Sequence, residues 1–186
     1  MNSESENIVP QSIYDVVIIG GGPAGAAAAV YAARKQLKTV IITPAFGGQS
    51  DVSPEIFNWI VTPSISGSDL AKSFEKHVRE YEGEYLDIIT GQKVSDLAKE
   101  QKDNEGKDLF RVTTDKDADF ITRTVLIVSG SSRRELTIPG AKEYNHKGVV
   151  YCATCDGPLF SGQRVVVVGG GNAGFETAAQ LSAYCE

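Results

Sequence analysis

The chain has 186 residues, 41% hydrophobic and 23% charged, a composition that suits one packed domain or two small ones. A formal net charge of -6 argues against a nucleic-acid surface, which needs a basic stripe. No apolar run approaches the roughly 18 residues that cross a bilayer, and the N-terminus lacks the basic start and apolar core of a signal peptide. A cytoplasmic, reducing setting is therefore expected, where cysteines spaced C-x-x-C are more often catalytic or metal-binding than structural.

Residues 1–12 read as a disordered leader. Residues 14–20 (YDVVIIG) form a β-branched run, the pattern of a strand buried on both faces. Gly20-Gly21-Gly22-Pro23-Ala24-Gly25 follows directly. Residues 26–35 are alanine-rich and helix-forming, and residues 39–43 (TVIIT) read as a second buried strand. The order is strand, glycine turn, helix, strand: one βαβ unit in about 30 residues. In Gly20-x-Gly22-x-x-Gly25, Gly20 allows a tight exit from the strand and Gly22 lets backbone approach a pyrophosphate. Gly25 lets helix and strand pack closely, and the phosphates then face the helix N-terminus. The second strand of such a unit commonly ends in an acidic residue that holds ribose hydroxyls. Thr43 stands there instead, a neutral and weaker partner.

Residues 46–50 are a glycine-containing loop, and residues 51–66 are irregular, with Pro54, Trp59 and Pro63. Leu70, Phe74, His77, Val78 and Tyr81 predict an amphipathic helix over 68–82, with Ser68 and Asp69 as caps. Short strands are predicted at 85–89, 92–97, 109–114 and 120–128, a meander ending in a buried strand, 124–129. Residues 131–139 read as a linker. A short strand over 148–152 leads into Cys152-Ala153-Thr154-Cys155. A buried strand over 164–168 (RVVVV) runs into Gly169-x-Gly171-x-x-Gly174, with a helix from Phe175. This repeats the first glycine turn and predicts a second dinucleotide site. No strand follows to complete the second βαβ unit, so the chain is expected to be part of something longer. The residues that select NADPH over NADH would then lie beyond Glu186.

The spacing of Cys152 and Cys155 suits a small disulphide ring that exchanges with other disulphides. The rival reading is zinc, which normally takes four ligands. Cys185, His77 and His146 show no matching spacing, and no metal is expected. Asp156 suits a general acid that protonates a leaving thiolate, and equally a turn residue before Gly157-Pro158.

The segments GGGPAGAAAAVYAARK, FGGQ, NWI, CATCDGP and VVVVGGGNAGFE resemble, in that order, low-molecular-weight thioredoxin reductases, over nearly the whole chain beyond about Ser12. HVREY, KGVVYC and CDGPLF are also similar to the flavoprotein subunit of alkyl hydroperoxide reductase. The resemblance implies an α/β fold. A Rossmann-like FAD-binding domain, a parallel sheet plus β-meander, would span residues 13–130. The start of a second Rossmann-like NAD(P)-binding domain, carrying the C-x-x-C, would span 131–186.

The resemblance also implies roles. Gly20, Gly22, Pro23 and Ala24 would hold the FAD pyrophosphate, and Thr43 would lie near the adenosine ribose. Gly47, Gly48 and Gln49 would line the flavin, and Asn58 would contact it. Val94 would meet the adenine by backbone, and Ser129 and Gly130 would close the domain. Cys152 and Cys155 would be the redox pair, with Asp156 as the acid. Gly169, Gly171, Asn172, Ala173 and Gly174 would open the NADPH site. Electrons would pass from NADPH to FAD, to the disulphide, and on to thioredoxin or a thioredoxin-like protein. A homodimer with no nucleic-acid or membrane partner is implied, as is a rotation between domains with a hinge in the linker.

Such enzymes close the FAD site with a later segment that this chain lacks, so weak FAD binding and no turnover are expected of it. The hydroperoxide-reductase flavoprotein carries a thioredoxin-like domain before the first glycine turn, and its tetrad usually reads Cys-Pro-His-Cys. Both points favour the thioredoxin-reductase reading. A third reading is a non-catalytic flavin-binding or redox-sensing module.

Overall fold

The computed structural model describes residues 12–131, 136–145 and 147–186. Nearly all of the expected leader, part of the expected linker and His146 lie outside them. The β-branched runs become adjacent strands, β1 (Tyr14–Gly21) and β2 (Thr39–Phe46). Val17, Ile18, Val40 and Ile41 are fully buried, each burial worth about 1.5–3 kcal/mol. Four further strands follow: β3 (Leu86–Thr90), β4 (Val94–Glu100), β5 (Leu109–Thr114) and β6 (Asp119–Ile127). The sheet order is β3-β2-β1-β6-β5-β4. The β3, β2, β1 and β6 strands run parallel, while β5 pairs antiparallel with both β6 and β4. A parallel Rossmann-like sheet with a meander at one end is the expected architecture.

Helices α1 (Pro23–Arg34) and α2 (Gly67–Arg79) cover one face of the sheet. There Ala26, Ala29 and Ala33 of α1 and Val78 of α2 pack on Ile18 and Ile41. Small side chains on α1 let the helix axis come close to the sheet. On the other face Val17, Val40 and Ile42 cluster with Val112 of β5. The meander therefore curls over the face opposite the helices, which brings the start of β4 to the end of β2.

Several expectations are corrected. The first helix begins at Pro23, not at residue 26, because proline at the first helical position loses no hydrogen bond and has the right φ. Ser68 and Asp69 lie inside α2 instead of capping it; Asp69 stands in the first turn and accepts a hydrogen bond from Lys72 at 3.1 Å. The end of β6 is not buried, with Ile127 61% exposed. The expected strands over 148–152 and 164–168 do not form. Asn145 and Val149 make only an isolated bridge, and 164–168 has no neighbouring strand among the described residues. A strand needs a ladder partner for its N–H and C=O groups, and a β-branched run cannot supply one alone.

Two compact units result. One holds the described residues of Met1–Val52 with Gly67–Ser131, and includes the whole sheet. The other joins Ser53–Ser66 to the described residues of Ser132–Glu186. It contains α3 (Ala153–Asp156), a 3-10 turn (Gly157–Phe160) and α4 (Asn172–Leu181). Among the described residues no helix is long and apolar enough to cross a membrane.

Candidate functional site: a glycine-turn cleft and a cysteine pair

The first unit turns from β1 into α1 through glycines that serve different ends. Gly20 has φ +120°, and a Cβ on it would lie 2.4 Å from the Val128 carbonyl oxygen. A Cβ on Gly25 would lie 1.9 Å from the Gly20 carbonyl oxygen. Both glycines are demanded by backbone packing. Gly22 is not: its φ of -73° and ψ of -174° suit any residue, and a Cβ there would meet nothing nearer than the Gly48 Cα at 4.0 Å. Its bare backbone keeps clear the space in front of the turn. No side chain caps α1, so its first-turn N–H groups are left for a ligand.

That space is a cleft of about 630 Å³. Gly20, Gly22, Pro23 and Ala24 form one wall. Thr43 comes from the end of β2, Gly48 and Gln49 from the following loop. Val94 comes from β4, and Ser129 and Gly130 follow β6. These expected residues are brought together. Gly25 and Gly47 are not on the wall. Gly25 sits at the helix–strand contact. Gly47, at φ +102°, would place a Cβ 2.5 Å from Ala71 Cβ, so it lets the loop pack on α2. Asn58 lies in Ser53–Ser66, which groups with the other unit.

Thr43 is 1% exposed, and its hydroxyl donates to the Ala45 carbonyl at 2.6 Å. Its proton is committed, so toward a ligand this oxygen acts as an acceptor. Gly21 is a site residue that the sequence reading does not single out. A Cβ there would fall 2.6 Å from Thr43 Oγ1, so its absence makes room for that threonine. Pro44 and Lys93 also line the cleft and escape the sequence reading. Pro44 is legible as the neighbour of Thr43. Lys93 carries no motif; the pairing of β3 with β2, which sets Thr90 beside Thr43, brings it to the wall.

In the second unit the other glycine turn repeats the geometry. Gly169 has φ +132°, and a Cβ on Gly174 would lie 2.4 Å from the Gly169 carbonyl oxygen. Gly171 precedes α4 with φ -89° and ψ -178° and no side-chain cap. Asn172 and Ala173 open that helix. The conformation forms even though the run before it has no ladder.

Cys152 and Cys155 are joined as a disulphide, with their Cα atoms 5.3 Å apart. Cys152 precedes α3, and its Sγ accepts the Cys155 N–H at 3.2 Å. Between them, the Thr154 hydroxyl donates to Gln180 Oε1 of α4 at 3.1 Å. The dithiol helix is thereby tied to the helix that follows the second glycine turn. Asp156 ends α3, just before the 3-10 turn that contains Pro158. The Cys185 thiol donates to the Phe160 carbonyl at 3.3 Å.

Paired glycine turns of this geometry, together with a bonded C-x-x-C, mark the nucleotide-dependent disulphide oxidoreductases as a class. Comparison with known proteins agrees. The family model for pyridine nucleotide-disulphide oxidoreductases matches residues 14–186, and the chain belongs to that family. It is 41% identical over 179 residues to the F component of alkyl hydroperoxide reductase from Pseudomonas aeruginosa, covering 96% of this chain and 33% of that protein. It is 39% identical over 180 residues to an NADH dehydrogenase of Bacillus subtilis, covering 97% and 33%. Among solved structures, thioredoxin reductase from Streptococcus pyogenes superposes with a TM-score of 0.78 at 36% identity, over 94% of this chain and 54% of that one. The chain thus spans about a third of these curated relatives and about half of the solved structure.

Proposed function

We propose that the chain is the FAD-binding and dithiol-bearing part of an oxidoreductase that passes electrons from NADPH through FAD to Cys152–Cys155 and on to thioredoxin. The observation that carries this reading is the bonded Cys152–Cys155 pair on a helix hydrogen-bonded to α4, the helix of the second glycine turn. Residues 13–130 would form the FAD domain and 131–186 the start of the NAD(P) domain.

The cleft fits an adenine dinucleotide, because Gly22 leaves space where a Cβ would intrude and the α1 N–H groups face it uncapped. FAD, when bound, supplies two-electron redox chemistry beside these walls. Gly22, Pro23 and Ala24 would hold its pyrophosphate, Thr43 would accept from a ribose hydroxyl, and Val94 would meet the adenine. Gly169, Gly171, Asn172, Ala173 and Gly174 would take the nicotinamide nucleotide.

At the cysteines, two electrons and two protons convert the disulphide to a dithiol. One thiolate attacks a sulfur of the partner's disulphide, breaking its S–S bond; the partner's first thiolate leaves and a mixed disulphide forms. The other thiolate then attacks the Cys152 or Cys155 sulfur in that bond, restoring the pair and releasing the partner's second thiolate. Asp156 would protonate leaving thiolates.

The hydroperoxide-reductase relatives favour a second reading, in which the partner is a peroxiredoxin and the nucleotide NADH. The Cys-Ala-Thr-Cys tetrad favours the first. The test uses the complete protein. Reduction by NADPH bleaches its yellow colour, and oxidised thioredoxin restores it. Cys152→Ser or Cys155→Ser lowers partner reduction by more than about 100-fold while bleaching by NADPH persists. Reoxidation by a peroxiredoxin alone selects the second reading, and a colourless protein overturns both.

A further inference from the structure

We infer that Gln180 is a positioning residue for the cysteine pair: through Thr154 it keeps the α3 turn in place once the disulphide opens, and so favours the reduced form. The inference rests on the reading of Cys152–Cys155 as a redox pair and goes beyond it by naming what holds the open form. Gln180 stands in the last turn of α4. Its Oε1 accepts the Thr154 hydroxyl at 3.1 Å, across 26 residues of chain. Leu181, the next residue of α4, meets the far end of the turn: a Cβ on Gly157 would lie 3.0 Å from Leu181 Cδ2. Gly157 is buried, and its bare backbone lets the end of α3 lie close against α4. The turn is thus held at Thr154 by Gln180 and at Gly157 by Leu181.

In the oxidised chain the S–S bond itself joins Cys152 to Cys155. A dithiol such as dithiothreitol breaks that bond. It gives up two electrons and two protons and closes into its own cyclic disulphide, while the pair becomes two thiols. What then remains of α3 is four residues. The Asp156 N–H donates to the Cys152 carbonyl at 2.9 Å, and the Cys155 N–H donates to the Cys152 sulfur at 3.2 Å. One helical turn does not persist by itself, because so few backbone bonds offset the order that it demands. The covalent link makes a side-chain tether redundant in the oxidised form, whereas the open form depends on it. An interaction that stabilises one of two states more than the other moves the equilibrium toward that state.

The test equilibrates the full 186-residue chain with set ratios of reduced and oxidised dithiothreitol, alkylates the free thiols and counts them by mass. Cys185 is free in both forms and adds a constant one. Thr154→Val and Gln180→Leu should each lower the equilibrium constant for reduction about threefold, the worth of one exposed hydrogen bond. The double variant should fall no further than either single one, because both remove the same bond. Thr154→Ser keeps the hydroxyl and should keep the wild-type constant. Both residues are exposed, so the variants fold, and circular dichroism checks this. A bond that served structure alone would lower the melting temperature of the oxidised and reduced chains equally and leave the constant unmoved. An unmoved constant therefore overturns the proposal, as do two single shifts that add. A wild-type pair that dithiothreitol fails to open at any ratio overturns the redox reading, and the inference with it.

Discussion

A methyl group at Gly25 would lie 1.9 Å from the Gly20 carbonyl oxygen, whereas one at Gly22 would meet nothing closer than 4.0 Å. The two glycines of one motif therefore fail differently. Gly25→Ala forces the turn apart, at a cost of about 1–3 kcal/mol, and should lower the melting temperature by several degrees and weaken FAD binding together. Gly22→Ala should leave the melting temperature unchanged while raising the FAD dissociation constant at least about tenfold. Thermal scans paired with flavin-fluorescence titrations separate the two, and equal loss of stability would refute the division. The need for Gly25 is legible in sequence because its obstacle, Gly20, lies five residues away, whereas the obstacle at Gly20 is Val128, which only the pairing of β1 with β6 brings near. Lys93 is illegible because its place depends on β3 pairing beside the end of β2.

At the scale of elements, β1 and β2 are readable because a strand buried on both faces is apolar throughout. The start of α1 is easily misread because Pro23 and Ala24 sit inside the glycine motif, although proline there is a helix starter. The meander carries its own electrostatic fastening. Arg111 of β5 bonds Glu100 of β4 and Asp119 of β6, each at 2.7 Å. Hydrogen bonding from Arg111 holds the Glu100 carboxyl below its ordinary value of 4.5. Thr113 and then Arg111 hold Asp119 below 3.8. A carboxyl lowered in the folded state adds stability above its ordinary value and loses it as pH falls through the lowered one. Arg111→Ala should therefore destabilise the protein slightly at pH 7, and the gap should close below about pH 4. Denaturant midpoints at pH 7 and pH 3 test this, and a gap that widens in acid would refute it. These side chains are half-buried, 30–39% exposed, and solvent still screens the pairs, so the effect stays small.

Across the whole molecule, the first unit has a six-stranded sheet and the second has none among the described residues. Hydrogen exchange should show the contrast. Amides of residues 17–18 and 40–42 should exchange at least about a thousandfold more slowly than those of 165–168. Similar rates would mean that the valine run is laddered after all. That run is the least legible part of the fold, since its composition specifies a strand but no strand lies beside it among the described residues.

The same run has a practical consequence. Val166 is 88% and Val168 68% exposed, and among the described residues no strand pairs with their backbone. An open β-branched segment is a template for the matching segment of another copy. Light scattering by the isolated chain should rise steeply with concentration, and Val166→Lys should suppress it without lowering the melting temperature. Purification of this chain would then be governed less by its stability than by its shelf life in concentrated solution.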